Sequence, residues 1–516
     1  LPTVAERKRQ ALELLARWGE QNTNRALAIL ATGGDTAEAE KLLAVQSDYI
    51  RRRFDCSDFY LVYYPYILRT FGKRGSGILS EKTENELTDC LLGFRYWIDE
   101  PGNDAMWFWS ENHALMFHTC QLLAGELFPD EVFTNSGLTG RQMQAKAKNM
   151  LYDWFVTFRK EGFTEWNSSP YLPIDTLGFG SLYAFAQDPA MRELGREGMD
   201  FAYYLLAVHS QQGIFASSSG RTYIKEQFGN WSNCPSGLSW IGYGYGVPGH
   251  AGKGITSYCL SDYEPPKEFA QWFSIPRGKE MICQTTQGND GYVDLYTYKT
   301  ADYMMTSAND FHPGEPGHQE NPFQLTFNAV AQLWVTHPGE RVLFGAARPS
   351  YWAGNGTLPK VNQYKAFAGL IYDIDPEHPV DFTHLYLPSM EFDRCEVEGK
   401  WAFVQLGSAY AAVYCSNGMR MQDFGSNKDR ECIAEGRRCI WLVRAAQADE
   451  FAAFEDFKAA MRGAALDADA EGRRYRFVDP IYGELRCQWD ETLYVNNAPM
   501  QYSGFDNYGK LTMQEK

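Results

Sequence analysis

Cysteine pairs, long apolar runs and an excess of basic charge are all lacking from this 516-residue sequence. The 11 cysteines are scattered and odd in number, and no two of them have the CxxC spacing. This pattern excludes a disulfide framework and a zinc ribbon. Free cysteines at this number favour a reducing compartment, so we expect a cytoplasmic protein. The sequence begins at Leu1 rather than Met, as it would after removal of a tag or a signal peptide, so export is also open.

No run of 18 apolar residues occurs, so we expect no membrane-spanning segment. The net charge of −17 argues against nucleic acid as a partner, because binding to phosphates needs a basic surface. A local basic pocket for an anionic substrate stays open, because net charge does not describe a single site. The sequence carries no sign of an oligomeric state.

Aromatic residues are abundant, at 15% of the chain. Carbohydrate-binding clefts present aromatic side chains to the apolar faces of sugar rings, and large cores also bury them. Both interpretations remain open on composition alone.

The first 210 or so residues have the apolar periodicity of helices. The predicted helices span 4–20, 37–53, 82–97, 104–127, 139–161 and 190–211. Asp35 and Ser80 are residue types that begin helices. Short turns between the helices are typical of antiparallel helix hairpins stacked in a toroid or solenoid. We therefore predict an α/α toroid domain over residues 1–212.

Residues 213–275 are rich in Gly, Ser and Pro, which predicts a connector that lines a cleft. From about residue 279 the pattern becomes strand-like, as in YVDLYTY and YAAVYCS, with turn sequences such as NG at 417–418. Residues 276–516 are accordingly predicted to form an antiparallel β-sandwich, with one helix at 454–463. The fold class is α+β, in more than one domain.

Three polar stretches do not fit a simple core: FWSENHALMFH at 108–118, GFTEWNSSPYLPID at 162–175 and DFHPGEPGHQENPFQ at 310–324. A polar group buried without a partner costs about 1–3 kcal/mol, so such runs either cap a helix or line a pocket. His is the residue best suited to acid–base work near neutral pH, and the first and third stretches each contain two.

This order of motifs resembles the heparinase II/III-like polysaccharide lyases, a superfamily that includes alginate, heparin and heparan lyases and a related dermatan C5-epimerase. In that family an Asn or Asn-His pair on a toroid helix, a Tyr one hairpin later and a His of the β-sandwich converge on one cleft. The resemblance implies that Asn112, His113, Tyr171 and His318 are catalytic and that no cofactor is needed. Two features depart from the family. The predicted helices are too few for six hairpins, and the sequence shows no recognisable ligands for the metal site that some members have in the β-domain.

The implied reaction is β-elimination on a uronate, with removal of the C5 proton and departure of the group at C4. The C5 proton is weakly acidic because the neighbouring carboxylate is already negative, so hydrogen bonds that neutralise this carboxylate make the intermediate accessible. Asn112 and His113 have donors for it. Tyr171 is a candidate base, and His318 is a second candidate base or acid.

The substrate is expected to be an anionic oligosaccharide or polysaccharide. Arg221 suits a carboxylate or sulfate because its guanidinium binds such groups through two hydrogen bonds, although a surface role is equally open. The candidate substrate-binding residues are Glu111, Trp166, Arg221, Tyr223, Gln319, Glu320 and Trp352.

Three other functions remain open. A glycoside hydrolase needs two carboxylates across the scissile bond, and Glu111, Glu165 and Asp175 are available. A uronate C5-epimerase starts with the same proton abstraction as a lyase, and a carbohydrate-binding protein needs no catalysis. A divalent metal at His312 and His318 is a minor alternative to a catalytic His318.

Overall fold

The computed structural model describes residues 2–228, 234–248, 254–288 and 292–516. Its internal contacts divide the chain into two compact units. The helical unit consists of Leu1–Arg159, Tyr171–Leu205 and Cys234–Phe269, and the sheet unit of Lys160–Pro170, Leu206–Asn233 and Ala270–Lys516. The two boundaries predicted at 212 and 275 therefore do not separate the units, because the chain passes between the units several times.

The helices are α1 (Val4–Trp18), α2 (Thr23–Ala31), α3 (Thr36–Arg51), α4 (Asp58–Leu61), α5 (Tyr64–Phe71), α6 (Glu81–Gly93), α7 (Glu111–Leu127), α8 (Gly140–Glu161), α9 (Leu172–Phe185), α10 (Pro189–Val208), α11 (Ile224–Gln227), α12 (Cys234–Tyr243), α13 (Ile255–Cys259), α14 (Ala270–Phe273) and α15 (Phe454–Gly463). None of the helices in the described ranges is both long and apolar enough to cross a membrane.

The helical unit combines helices that are buried on nearly all sides with helices that are buried on one face. Helices α2, α7 and α9 are almost wholly buried, whereas α1, α3 and α8 bury one apolar stripe. A helix that is apolar all round belongs in an interior, and an amphipathic helix covers it. In this unit α7 packs against α9, and α9 packs against α13.

Helix boundaries follow the capping chemistry. Asp35 and Ser80 cap α3 and α6 through their side chains, as predicted. Helix α7 begins at Glu111 rather than near 104, because Ser110 is its cap. Helix α9 was not predicted, since Pro173 in its first turn and its continuous burial hide the amphipathic period. Helices α12 and α13 likewise occupy the segment predicted as a connector without regular structure.

The strands are β1 (Ser210–Gln211), β2 (Ile214–Phe215), β3 (Lys279–Gln287), β4 (Val293–Lys299), β5 (Met304–Asn309), β6 (Phe323–Thr326), β7 (Gln332–Thr336), β8 (Lys360–Tyr364), β9 (Phe367–Asp373), β10 (Phe382–Tyr386), β11 (Arg394–Glu398), β12 (Trp401–Leu406), β13 (Ala409–Cys415), β14 (Arg420–Met421), β15 (Glu431–Glu435), β16 (Arg438–Gln447), β17 (Leu466–Asp469), β18 (Arg474–Asp479), β19 (Gly483–Gln488), β20 (Tyr494–Val495), β21 (Ala498–Pro499) and β22 (Lys510–Glu515).

All strand pairs between these elements are antiparallel. One sheet has the order β14-β15-β10-β7-β6-β5-β4-β3-β22, a second has β11-β12-β13-β16-β9-β8, and a third has β17-β18-β19-β20-β21. Side chains from all three, including Leu325, Val335, Leu370, Val443 and Leu485, share one hydrophobic core. The predicted α+β class is confirmed, and so is the helix at 454–463.

Candidate functional site

The polar run Glu111-Asn112-His113 forms the first turn of α7. The Ser110 hydroxyl accepts a hydrogen bond from the His113 amide, which satisfies one of the free N–H groups at the start of the helix. Asn112 and His113 are buried, and Glu111 is half-buried. The side chains of Asn112 and His113 therefore stand in the helical unit at the positive end of a 17-residue helix.

His113 is held by an acidic partner. Its Nδ1 atom lies 2.9 Å from Oδ2 of Asp58, which is fully buried in α4, and its ring stacks on Phe59 at 4.6 Å. Burial by itself lowers the pKa of His113, but the Asp58 carboxylate and the hydrogen bonds that His113 donates to Asp58 and Cys56 raise this pKa to about 10. This shift favours the imidazolium form of His113, while burial also raises the pKa of its partner Asp58. The Nε2 atom of His113 lies on the side of Asp55, at 4.0 Å from Oδ1.

The second histidine of the run has a different environment. The ring of His118 packs 4.3 Å from the ring of Trp97, and burial lowers the pKa of His118 to about 3. His118 is therefore a neutral core residue. Of the two histidines in α7, His113 is therefore the one whose pKa is raised, and the Asp58 carboxyl lies beside it.

Helices α7 and α9 run side by side in the same direction. A Cβ atom on Gly178, in α9, would lie 2.7 Å from the side chain of Leu115, near the start of α7. Beyond the other end of α9, the Gln187 amide donates to Oε2 of Glu126, near the end of α7. Tyr171, the half-exposed N-cap residue of α9, is therefore at the same end of this helix pair as Asn112 and His113. Two helix N-termini at one end favour a negatively charged ligand there.

Two exposed tryptophans accompany this end of α7. Trp107 and Trp109 are 54% and 64% exposed, and their ring centroids lie 4.8 Å apart. The Trp107 amide donates to Oδ1 of Asp55, which places this segment beside His113. Exposed indoles next to polar groups are typical of sugar-binding surfaces. Sequence analysis missed both tryptophans, which flank the buried Phe108 in the turn that precedes α7.

A second group of predicted residues meets within the sheet unit. The backbones of Ser219 and Asn321 exchange two hydrogen bonds of 2.8 and 2.7 Å. The Thr222 amide donates to the Gln319 carbonyl, and the Gln319 side-chain amide donates to the Thr222 carbonyl. Two segments far apart in the sequence are therefore joined, and Arg221 comes to lie near the 318–320 turn.

The charged side chains of this second group are ordered by contacts of their own. The Nη1 atom of Arg221 lies 3.6 Å from Oε1 of Glu165, and the Arg221 guanidinium lies 5.6 Å from the centre of the Tyr223 ring. His318 is exposed, and its amide donates to the Glu320 carboxylate. Exposed His and half-buried Arg, Tyr and Glu side chains can bind an anionic sugar.

The side-chain amide of Gln319 is used in the hydrogen bond to the Thr222 carbonyl, so this residue braces the two segments. The two predicted stacking tryptophans are core residues. Trp166 packs with Val293 and Leu295, and a Cβ atom on Gly220 would lie 2.6 Å from the Trp166 ring. Trp352 is 1% exposed and stacks on His384 at 4.0 Å. The prediction that Trp166 and Trp352 stack on sugars is wrong, because neither ring has a free face.

The remaining candidates have fixed surroundings as well. Asp175 is buried in the first turn of α9. His312 lies 3.2 Å from Glu315 and contacts Tyr292. Within the described ranges, neither His312 nor His318 belongs to a group of three side chains that could hold a metal ion.

Neither a protein-family model nor a curated protein matches this sequence. Among solved structures, the chain is similar to the chondroitin AC lyase of Streptomyces coelicolor A3 in complex with chondroitin sulphate. The two chains are 11% identical with a TM-score of 0.41, and the match covers 96% of this chain and 85% of that one. A likeness this distant assigns neither a family nor a function to this chain.

Proposed function

We propose that the protein is a lyase that cleaves uronate-containing oligosaccharides or polysaccharides by β-elimination. The observation that carries the proposal is the imidazolium of His113 beside Asn112, at the end of α7 where Tyr171 begins the parallel helix α9. This arrangement combines a fixed cation, an amide donor and a phenol in one unit.

In the proposed reaction, Asn112 and His113 donate hydrogen bonds to the C5 carboxylate of the uronate. A charged donor forms a stronger hydrogen bond than a neutral one, and preorganised donors stabilise the charge that develops when C5 loses its proton. Asp58 holds the Nδ1 side of His113, so the substrate carboxylate would take the Nε2–H group in place of its neighbours Asp55 and Cys56. Asp58 would be a positioning residue, and His113 the residue that touches the carboxylate.

Tyr171 removes the C5 proton in this mechanism. The electron pair of the C5–H bond forms the C4=C5 double bond, and the C4–O bond breaks with its electrons on the leaving oxygen. That oxygen takes a proton from Tyr171. His318, in the sheet unit, remains the second predicted acid or base. A phenol functions as a base when nearby cations and helix dipoles favour its ionised form.

We also propose that Trp107 and Trp109 carry a sugar ring next to the cleaved bond. Their adjacency supports this role, because two exposed indoles with centroids 4.8 Å apart form one contiguous apolar patch, and such patches mark binding surfaces. Arg221, Tyr223 and Glu320 remain our proposed contacts to the anionic substrate within the sheet unit.

A C5-epimerase would use the same three residues for the first proton transfer and would then return a proton to the other face of C5. A hydrolase is less well supported, because Glu165 is close to the guanidinium of Arg221. A carbohydrate-binding protein would use the aromatic surface without proton transfer.

The test is an ultraviolet absorbance time course on alginate, glucuronan, heparosan, chondroitin and pectic fragments. Elimination conjugates a new C4=C5 double bond with the carboxylate, so we expect absorbance to rise with one of these glycans. New reducing ends without absorbance would establish a hydrolase instead. If neither appears, exchange of the C5 proton in deuterated water separates the epimerase from the binding protein.

A further inference from the structure

Three side chains with metal-binding atoms meet beside the start of α7. They are Asp55, Cys56 and His113, and their candidate ligand atoms all lie within 4.8 Å of one another. Within the described ranges this is the one such group of three His, Cys, Asp or Glu residues. Thiolate, imidazole and carboxylate are the three ligand types that zinc prefers in proteins.

The imidazole is already oriented for coordination. Because Nδ1 of His113 is hydrogen-bonded to Asp58, the other ring nitrogen faces Asp55 and Cys56. Metal-binding histidines almost always have such a carboxylate or carbonyl on their second nitrogen, which fixes the ring and increases its basicity. Asp58 is fully buried and cannot itself reach a ligand from solvent. It has the place of the outer carboxylate in a carboxylate–histidine–metal arrangement.

The loop that supplies the other two ligands has an unusual backbone. Arg53 and Cys56 have positive φ angles of 54° and 64°, a conformation that side-chain-bearing residues seldom adopt. The loop is held by hydrogen bonds from the Tyr49 hydroxyl to the Asp55 carbonyl and from the Trp107 amide to the Asp55 carboxylate. Strained backbone of this kind persists where the surroundings fix it, and it is concentrated at ligand-binding sites.

We propose that Asp55, Cys56 and His113 bind one divalent ion of the zinc type, with a fourth coordination position open to solvent. The open position follows from exposure, since Asp55 is exposed and Cys56 is half-exposed. The soft sulfur ligand selects zinc-like ions over magnesium and calcium, which prefer oxygen. On binding, the Cys56 thiol and the His113 imidazolium each release a proton to solvent.

This inference goes beyond the proposed lyase and does not depend on it. The ion and the Nε2 proton of His113 are alternatives at the same atom, so the site holds either an imidazolium or a metal ion. The metal experiment contains no glycan, and its failure would therefore leave the elimination test untouched.

The test is a titration of the whole chain with Co²⁺, which reports on its ligands through its absorption spectrum. We expect one Co²⁺ per chain, with a thiolate-to-cobalt charge-transfer band in the near ultraviolet. Cys56→Ser should abolish this band, and Zn²⁺ should displace the cobalt. Cys395→Ser is the matched control, because Cys395 is another half-exposed cysteine and should leave the band unchanged. Absence of the band in the wild type, or its persistence in Cys56→Ser, would overturn the proposal.

Two further measurements cover a Cys56→Ser chain that fails to fold. In the wild type, Zn²⁺ should protect Cys56 from alkylation by iodoacetamide, as located by peptide mass spectrometry, while Cys395 stays as reactive as before. Asp58→Asn should weaken Zn²⁺ binding by about 10–100-fold, the usual effect of losing such an outer carboxylate. Equal alkylation of Cys56 with and without Zn²⁺ would exclude the site.

Discussion

The Nδ1 atom of His113 lies 2.9 Å from the Oδ2 atom of Asp58, a residue 55 positions earlier in the chain. This one contact fixes the orientation of the imidazole, its charge and the direction in which its second nitrogen faces. Both the proposed elimination and the proposed metal site depend on it, since each uses the Nε2 side of the same ring.

The His113–Asp58 pair predicts a dependence of stability on pH. The pKa of His113 is raised from its usual 6.5 to about 10 in the folded protein, chiefly by Asp58 against the opposing effect of burial. The folded chain therefore binds this proton more tightly than the unfolded chain does. The resulting stabilisation is complete below about pH 6.5 and is lost as the pH rises through about 10.

We expect the free energy of unfolding of the wild type to fall across this window by an amount on the order of a few kcal/mol, at about 1.4 kcal/mol per pKa unit. Urea unfolding at several pH values, compared with His113→Gln, measures it. The variant lacks the titrating group, so its free energy of unfolding should change less with pH. Parallel curves for the two proteins would contradict the assigned charge of His113.

Tyr171→Phe tests the base. The change removes one hydroxyl and keeps the ring at the start of α9, so we expect turnover to fall by about 10²–10⁴-fold while glycan binding persists. Rates come from the absorbance assay and binding from calorimetry with the best substrate of the panel. Tyr152→Phe, at an exposed position on α8, is the matched control and should behave as the wild type. Normal turnover in Tyr171→Phe would refute the mechanism.

Asn112→Ala tests whether Asn112 stabilises the C5 carboxylate of the uronate substrate by a hydrogen bond. Loss of one preorganised donor to a developing charge costs about 10²–10³ in kcat, so we expect a fall of this size. Asn103→Ala, at an exposed position outside the helix, should leave kcat unchanged. Thermal unfolding of both variants shows whether the loss is chemical or structural. Equal kcat in Asn112→Ala and the wild type would make the polar run a purely structural feature.

Sequence analysis located the first turn of α7 because three consecutive polar residues between aromatic ones are costly in a core. It could not locate Asp58, because nothing in the local pattern of DCSD at 55–58 indicates contact with His113. That contact exists because α4 packs against α7, which is a tertiary relationship. Tertiary packing also explains why the two tryptophans differ in exposure. Trp109 and Trp352 have similar local sequences of aromatic and small residues, but packing leaves Trp109 exposed and buries Trp352.

The helix and domain boundaries also divide into those that local sequence predicts and those that depend on tertiary contacts. Local chemistry predicted the caps at Asp35 and Ser80 and the strands that alternate in polarity. Helix α9 escaped because an interior helix has no polar face to reveal its period. The assignment of residues 160–170 and 206–233 to the sheet unit was also out of reach, since it depends on backbone pairs such as Ser219 with Asn321.

Trp109→Ala tests the proposed sugar platform. The ring is exposed and makes its main contact with Trp107, so its removal should leave folding unchanged. We expect KM to rise on the order of tenfold, about 1.4 kcal/mol, with little change in kcat, because stacking binds substrate and transition state alike. Trp18→Ala is the matched control, because Trp18 is 82% exposed on α1 and should leave KM unaltered. An equal KM in the two variants would remove Trp109 from the site.

Glu165→Gln and Glu111→Gln decide between elimination and hydrolysis. Glu165 lies 3.6 Å from the Arg221 guanidinium, and Glu111 is half-buried in the first turn of α7. In a lyase neither carboxylate transfers a proton, so both variants should retain turnover within about tenfold, and the change should fall mainly on KM. In a hydrolase the acid and the base are both carboxylates, and their loss would abolish turnover. The absorbance and reducing-end assays, run on the same samples, measure the turnover of each variant. Two inactive Gln variants together with an active Tyr171→Phe variant would establish the hydrolase.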